Sequence, residues 1–379
     1  MIEVLKDLIW INDKKTLKII NIMFFCSIIF MLAVHYIWSS GTMLFNLDSL
    51  LDIEHYFDIA MSGYTQKYQY AFFPLLPLIM KGFSFINIPI VGTTILNNLI
   101  CLLTAYLIYN LSVSEYKATN KRALLLSGMW IFSPIRPFTL VPYTEALFVF
   151  NSLIAFSLYK KRKAPILTGI FMGLSVATRS VGSTLFFVLF LFLFYDLIKN
   201  SEKWKQIIYI LKIYIPATII SCLYPIYLQM TLGNWKYFVD VQMEVWSRQK
   251  GNIFEIFMYD MNLLQTTSSY IVYITIIFTY ISLIIAVILM AHSIRTEKYK
   301  KLDLALIVII SLISFFSTYR NNGVDAGTCS FFRYIFGLFP VYLFINNKTS
   351  KKLIGFILLA QIIMLIIVSI CFLSNVFIA

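Results

Sequence analysis

The chain has 379 residues, of which 60% are hydrophobic, 17% aromatic and only 13% charged, and its mean hydropathy is +0.81. Composition this apolar excludes a soluble domain and a disordered chain, and describes a multi-pass membrane protein. The net charge of +13 falls in short loops between apolar runs, so it is read as membrane topology and no nucleic-acid partner is expected.

The first long run, IINIMFFCSIIFMLAVHYIW (19 to 38), has the roughly 20 residues that a helix needs to cross about 30 Å of hydrocarbon. It is too long and too aromatic for a cleaved signal, although a signal-anchor role fits. None of the runs alternates as a barrel strand would. Predicted spans follow at 92–111, 123–141, 144–159, 165–178, 182–198, 206–228, 269–292, 304–319, 331–346 and 353–375, eleven crossings in all. The fold class is therefore an all-α polytopic membrane protein forming a single domain over 1–379. Its longest non-spanning segments are 39–91 and 229–268.

Lysine and arginine alternate between the two sides. The N-terminal arm, KATNKR (117 to 122), KKRK (160 to 163), KNSEKWK (199 to 205), RTEKYKK (295 to 301) and NKTSKK (347 to 352), together with Lys212, hold 22 of the 31 cations. The positive-inside rule makes that side cytoplasmic, with the N-terminus inside, the C-terminus outside, and 39–91 and 229–268 external. The cytoplasmic set has three arginines; the nine other cations include five, Arg136, Arg179, Arg248, Arg320 and Arg333. Topology needs only point charges, whereas a planar guanidinium grips phosphate or carboxylate with two bonds, so these arginines read as ligand binders, or as side chains snorkelling to headgroups.

The first external segment contains LDIEHYFDIAMSGY (51 to 64) and AFFPLLPLIMKGF (71 to 83), the second too short to span and broken by Pro74 and Pro77. Both are expected in the outer interface. Asp52, His55 and Asp58 fall on one helical stripe, which fits a metal site, an acid/base centre or a solvated face. No H-x-x-x-H or D-x-D accompanies them. PYTEALF (142 to 148) puts Glu145 at the external end of a span, where a carboxylate is costly; a functional partner and helix N-terminal capping are the two readings. ATRSVGS (177 to 183) and FFRYIFGLFP (331 to 340) place Arg179 and Arg333 at external turns. YFVDVQMEVWSRQ (237 to 249) suits a helix lying on the membrane, offering Gln242, Trp246 and Arg248 to a polar head or sugar. The five cysteines are scattered and suggest neither disulfides nor a thiolate metal site, and His35 and His292 read as packed or interfacial.

Taken together these motifs resemble the PIG-V-type mannosyltransferases of the GT-C superfamily. Asp52, His55, Tyr56, Ile59, Ala60, Gly63 and Tyr64 match the pattern W-D-x-x-H-Y-x-x-I-A-x-x-G-Y. AFFPLLPL, PYTEALF, TRSVG, the spacing from Phe238 to Arg248, and R-Y-x-x-x-x-F-P from Arg333 follow in the family's order, so the resemblance covers about 50–340. Leu51 stands where the pattern has tryptophan, which puts the packing around Asp52 in question. The resemblance implies a GT-C fold and an inverting transfer of a hexose, with mannose the expected sugar, from a polyprenyl-phosphate donor to a lipid-linked or surface glycan at the external or lumenal face. Asp52 would be the catalytic base, with Arg179, Arg333 and then Arg248 on the donor phosphate. His55, Tyr56, Glu145, Gln242 and Trp246 would be sugar or acceptor contacts. No cofactor is implied with certainty and a divalent cation stays open. A prokaryotic plasma membrane is favoured over the endoplasmic reticulum. The rival reading is a transporter or flippase for a phosphate-bearing lipid; it is disfavoured because the polar groups crowd one face and no inverted repeat is apparent.

Overall fold

The computed structural model describes residues 2–38, 52–297, 300–374 and 376; Leu51 lies outside them. The chain begins with α1 (Ile2–Ile9) and α2 (Lys14–Trp38), then α3 (Asp52–Ser62), a 3-10 turn at Lys67–Ala71 and α4 (Leu75–Ser84). It continues through α5 (Pro89–Ser114), α6 (Asn120–Ile131), α7 (Arg136–Leu140), α8 (Thr144–Lys160), α9 (Pro165–Thr178), α10 (Gly182–Lys199) and α11 (Lys203–Leu232). Then come α12 (Tyr237–Glu244), β1 (Arg248–Lys250), α13 (Ile253–Thr266), α14 (Tyr270–Glu297), α15 (Leu302–Phe315) and β2 (Thr318–Arg320). The last elements are α16 (Phe331–Phe336), α17 (Phe339–Leu343) and α18 (Lys351–Leu373).

Among the described residues, six helices are long and apolar enough to cross a membrane: α2, α5, α10, α11, α14 and α18. The protein is thus an all-α polytopic membrane protein. Two of the runs read as single spans are helix pairs. The run 123–141 breaks between α6 and α7, where Pro134 supplies no amide and Pro137 starts the next helix. The run 331–346 breaks after Gly337, and Pro340 opens α17. The backbone groups at the breaks lie inside protein, because residues 133–139 are buried and 331–345 are buried but for Tyr334, while α6 itself buries only one face. In α4 the prolines start the helix instead of breaking it: Pro74 is the N-cap and Pro77 lies in the first turn, where the missing N–H costs nothing.

Helix α8 is the centre of the body, buried along nearly its whole length and packed against α5 and α9. The tightest crossing is α9 on α11. A Cβ on Gly169 would lie 2.0 Å from the Ile213 carbonyl oxygen, and one on Gly173 would lie 2.7 Å from the Ile220 side chain. These two glycines, four apart on one face, let the backbones touch. Because the obstacle at Gly169 is backbone, Gly169→Val is expected to force the helices apart and destabilise the protein by about 1–3 kcal/mol, read as a lower unfolding temperature in detergent.

The lysine-rich loops gather at one end of the bundle. Lys160 pairs with Asp303 at 3.0 Å, Lys163 with Asp7 at 3.5 Å and Arg162 with Asp196. Arg122 donates to the Thr349 carbonyl at 3.1 Å, and Asn347 bridges Lys117 and the Thr119 amide. At the other end lie α3, α4, α12, α13 and a two-stranded antiparallel ladder in which Arg248 faces Arg320. This ladder was not expected. Helix α12 stops at Glu244, and Ser247, with φ 55, turns the chain into β1, so Trp246 and Arg248 leave the helix on which the sequence places them.

Candidate active site

Asp52 opens α3, which buries Ile53, Tyr56, Ile59 and Ala60 on one face. Tyr56 and Ala60 pack with Leu76 and Met80 of α4, and this contact fixes the helix. The Asp52 amide donates to the Tyr143 hydroxyl at 3.0 Å. Tyr143 is itself held by Asn97 of α5, whose side-chain amide donates to the carbonyls of Val141 (2.6 Å) and Tyr143 (2.9 Å). That pin sets the start of α8, two residues before Glu145.

Glu145 is fully buried and does not cap its helix. Its Oε1 lies 2.6 Å from Arg179 Nη1, which donates to it, and 3.0 Å from Arg333 Nε. The Arg333 N–H does not point along that contact, so it is charge pairing without a formed hydrogen bond; Arg333 Nη1 and Glu145 Oε2 also lack hydrogen-bond partners among the described residues. Arg333 Nη1 reaches within 3.9 Å of Asp52 Oδ2. The order through space is therefore Asp52, Arg333, Glu145, Arg179, charges alternating. Aromatic faces carry the guanidinium groups: Arg333 lies over Phe138 at 4.9 Å, and Arg179 over Tyr334 at 4.5 Å.

The Asp52 side chain keeps 17% of its exposure, against 7% for Arg333 and 0% for Glu145. It is thus the carboxylate of the cluster that solvent or a substrate can reach. Among the described residues no hydrogen bond engages its carboxylate oxygens. Burial pushes this carboxyl above its ordinary range, with Arg333 the largest opposing influence.

The other expected contacts divide. His55 is clasped by the rings of Tyr68 (4.9 Å), Phe72 (5.3 Å) and Trp246 (6.3 Å), and Tyr56 by Phe72 (5.1 Å) and Tyr143 (6.2 Å). These ring contacts join α3 to its neighbours, with Tyr56 buried and His55 half-buried. Trp246 donates its indole N–H to the Tyr68 carbonyl at 3.4 Å. Gln242 is half-buried on α12, and Glu54 is exposed. Arg248 donates to the Cys329 carbonyl at 3.4 Å and lies 5.8 Å from the Phe331 ring. Arg136 departs from the ligand-binder reading altogether. It is fully buried, donating to Ser27, Thr139 and Asn98 at 3.1, 3.1 and 3.0 Å with Phe24 against its face, and so ties α2, α5 and α7 together.

Tyr143 and Tyr334 escape a reading of the sequence as site residues, although both lie inside the motifs, near Glu145 and beside Arg333. A tyrosine in a membrane chain carries no signal of its own against the aromatic belt. Among the described residues no three His, Cys, Asp or Glu side chains gather in a metal-binding group. The two carboxylates of the site, Asp52 and Glu145, both face guanidinium groups, so this donor set does not fit a divalent cation.

No family model matches the chain. Over 143 residues, 35% of the chain, it is 28% identical to the GPI alpha-1,6-mannosyltransferase 2 of the mouse, Mus musculus. The chain spans about 28% of the length of that curated relative.

Proposed function

We propose that this protein is a membrane glycosyltransferase that moves a hexose, mannose in our reading, from a polyprenyl-phosphate carrier to a glycolipid or glycan. The likeness to a mannosyltransferase supports the reaction class, and six long apolar helices suit lipid-linked substrates. The observation that carries the reading is Asp52: a carboxylate partly open to solvent, free of hydrogen bonds among the described residues, beside a guanidinium cluster.

In this reading Asp52 takes the proton from the acceptor hydroxyl as its oxygen attacks the anomeric carbon, with inversion. The phosphate leaves from the opposite side of that carbon and gains a negative charge, which nearby guanidinium groups stabilise. In this reading Arg179 and Arg333, with Arg248 next, face the phosphate: Arg333 is charge-paired with the two carboxylates but keeps N–H groups without hydrogen-bond partners among the described residues. The eleven runs form a GT-C bundle, the helix pairs α6–α7 and α16–α17 each making one traverse. The lysine-rich end lies in the cytoplasm and the Asp52 end outside, in a prokaryotic plasma membrane.

The test supplies purified protein with polyprenyl-phosphate-mannose and candidate acceptors. Arg179→Lys, which keeps charge but loses the fork, is expected to slow transfer by about tenfold or more, while Lys236→Ala leaves it unchanged. Lipid movement across proteoliposomes without sugar transfer would establish the flippase reading instead.

A further inference from the structure

The ladder places two like charges face to face. Arg248 and Arg320 are Cα partners in register, an arrangement that is destabilising unless something lies between the charges. Both guanidinium groups reach the same buried residue: Arg248 Nη2 donates to the Cys329 carbonyl at 3.4 Å, and Arg320 Nη1 lies 3.9 Å from Cys329 Sγ. Both are weak, long contacts. Among the described residues the one carboxylate ion-paired with either guanidinium is Asp325, 3.2 Å from Arg320 Nη1 and 39% exposed. Arg320 Nε is buried with no acceptor, and Arg248 has no ion-pair partner among the described residues.

This pair is rigidly mounted. A Cβ on Gly251, just after β1, would meet the Tyr319 ring of β2 at 2.8 Å, and one on Gly327, in the loop after β2, would meet Tyr259 at 2.9 Å, so the backbone packs closely on both rings. The Arg320 amide donates to the Gly327 carbonyl at 3.1 Å. Behind it, buried Asp260 accepts from the Gly327 amide (2.7 Å), Thr328 Oγ1 (2.8 Å) and the Tyr280 hydroxyl (3.3 Å). Burial pushes the Asp260 carboxyl up while these donors oppose the shift. The mount is continuous with the Asp52 site, since Tyr334 has Arg248 as a charged neighbour and Arg179 on its face.

We propose that Arg248 and Arg320 form a two-arginine clamp for a phosphate group, with Arg320 a binding residue that sequence motifs do not single out. Two guanidinium forks on partnered positions, both reaching Cys329, offer more N–H donors than a carboxylate has oxygens, and a tetrahedral phosphate can accept from both. That the phosphate belongs to a polyprenyl lipid rests on the transferase reading; the same chemistry would also hold free phosphate.

Binding to the purified full-length protein in detergent tests this without any sugar transfer. Probes are a short-chain polyprenyl phosphate, the matching polyprenol, and inorganic phosphate. Expected are binding of the polyprenyl phosphate, none of the polyprenol, and roughly tenfold or greater weakening by Arg320→Gln and by Arg248→Gln, with Asp325→Asn causing no loss. Inorganic phosphate that competes at equal concentration would assign the clamp to the free anion, and failure to compete assigns it to the lipid. Arg320→Gln binding within about twofold of wild type, at an unchanged unfolding temperature, would overturn the clamp. Should that variant not fold, Arg320→Lys keeps the charge beside Asp325 and loses the fork; wild-type binding by it would likewise overturn the proposal. Absent transfer with Arg320-dependent binding intact sinks the transferase reading alone.

Discussion

Asp52→Asn is expected to reduce sugar transfer by about 10²- to 10⁴-fold, the usual contribution of a general base, while leaving the protein folded. Asparagine matches the shape of aspartate, keeps the hydrogen bond from its backbone N–H to the Tyr143 hydroxyl and preserves the face of α3 buried on α4. What it removes is the proton acceptor. Arg333 loses a neighbour 3.9 Å away, too far for a hydrogen bond, and retains Glu145 at 3.0 Å. A rate within a few-fold of wild type on a donor and acceptor that the wild type uses would end the assignment of Asp52 as base.

The same carboxyl sets a pH signature. Its pKa is raised from the ordinary 3.8, with burial the leading cause, so activity should fall on an acid limb lying above that value as Asp52 takes up a proton. Arg333 is the largest influence in the opposite direction, so Arg333→Gln should move the limb to still higher pH. For stability the sign is reversed: a raised folded-state value means the fold holds the proton more tightly than the unfolded chain. The associated stabilisation is present below the unfolded pKa and is lost as pH rises through the folded one. Asp52→Asn removes that titration, so its unfolding temperature at neutral pH should not fall below that of the wild type.

Much of this architecture is legible in the chain, and the boundary follows from what each signal measures. Apolar runs and lysine spacing speak to helices and loops, and the lysine-rich loops do converge on one end through contacts such as Lys160 to Asp303. Runs do not reveal whether apolar surface faces lipid or protein, so the broken pairs α6–α7 and α16–α17 look like ordinary spans until Pro134, Gly337 and Pro340 are weighed. Arginine content picks out Arg179 and Arg333, which meet at Glu145, yet the same reasoning sweeps in Arg136, whose neutral partners come from helices remote in sequence. The β1–β2 ladder joins segments about 70 residues apart and only three residues long each, below anything that periodicity can detect. The Trp-to-Leu departure at Leu51 lies outside the described residues.

Glu145→Gln should have the largest effect on the protein itself. Glu145 is fully buried and is the shared counter-charge of Arg179 and Arg333, which come from the end of α9 and the start of α16. Glutamine fits the space and leaves one carbonyl oxygen to accept from Arg179, but two guanidinium groups then face a neutral amide. Breaking a buried ion pair from one side typically costs about 3–5 kcal/mol, because the surviving charge is left without compensation. The variant should therefore unfold at a clearly lower temperature and lose transfer together with stability, whereas Asp52→Asn loses transfer alone. Comparing unfolding temperature and rate for the two variants separates the carboxylate that holds the arginines from the one that meets the acceptor. If Glu145→Gln were as stable as the wild type yet inactive, Glu145 would touch substrate, and Asp52 would not be alone in meeting the acceptor. Glu145→Asp sharpens the comparison: it keeps the charge but shortens the arm by one methylene, and it should restore much of the stability as the two arginines draw in.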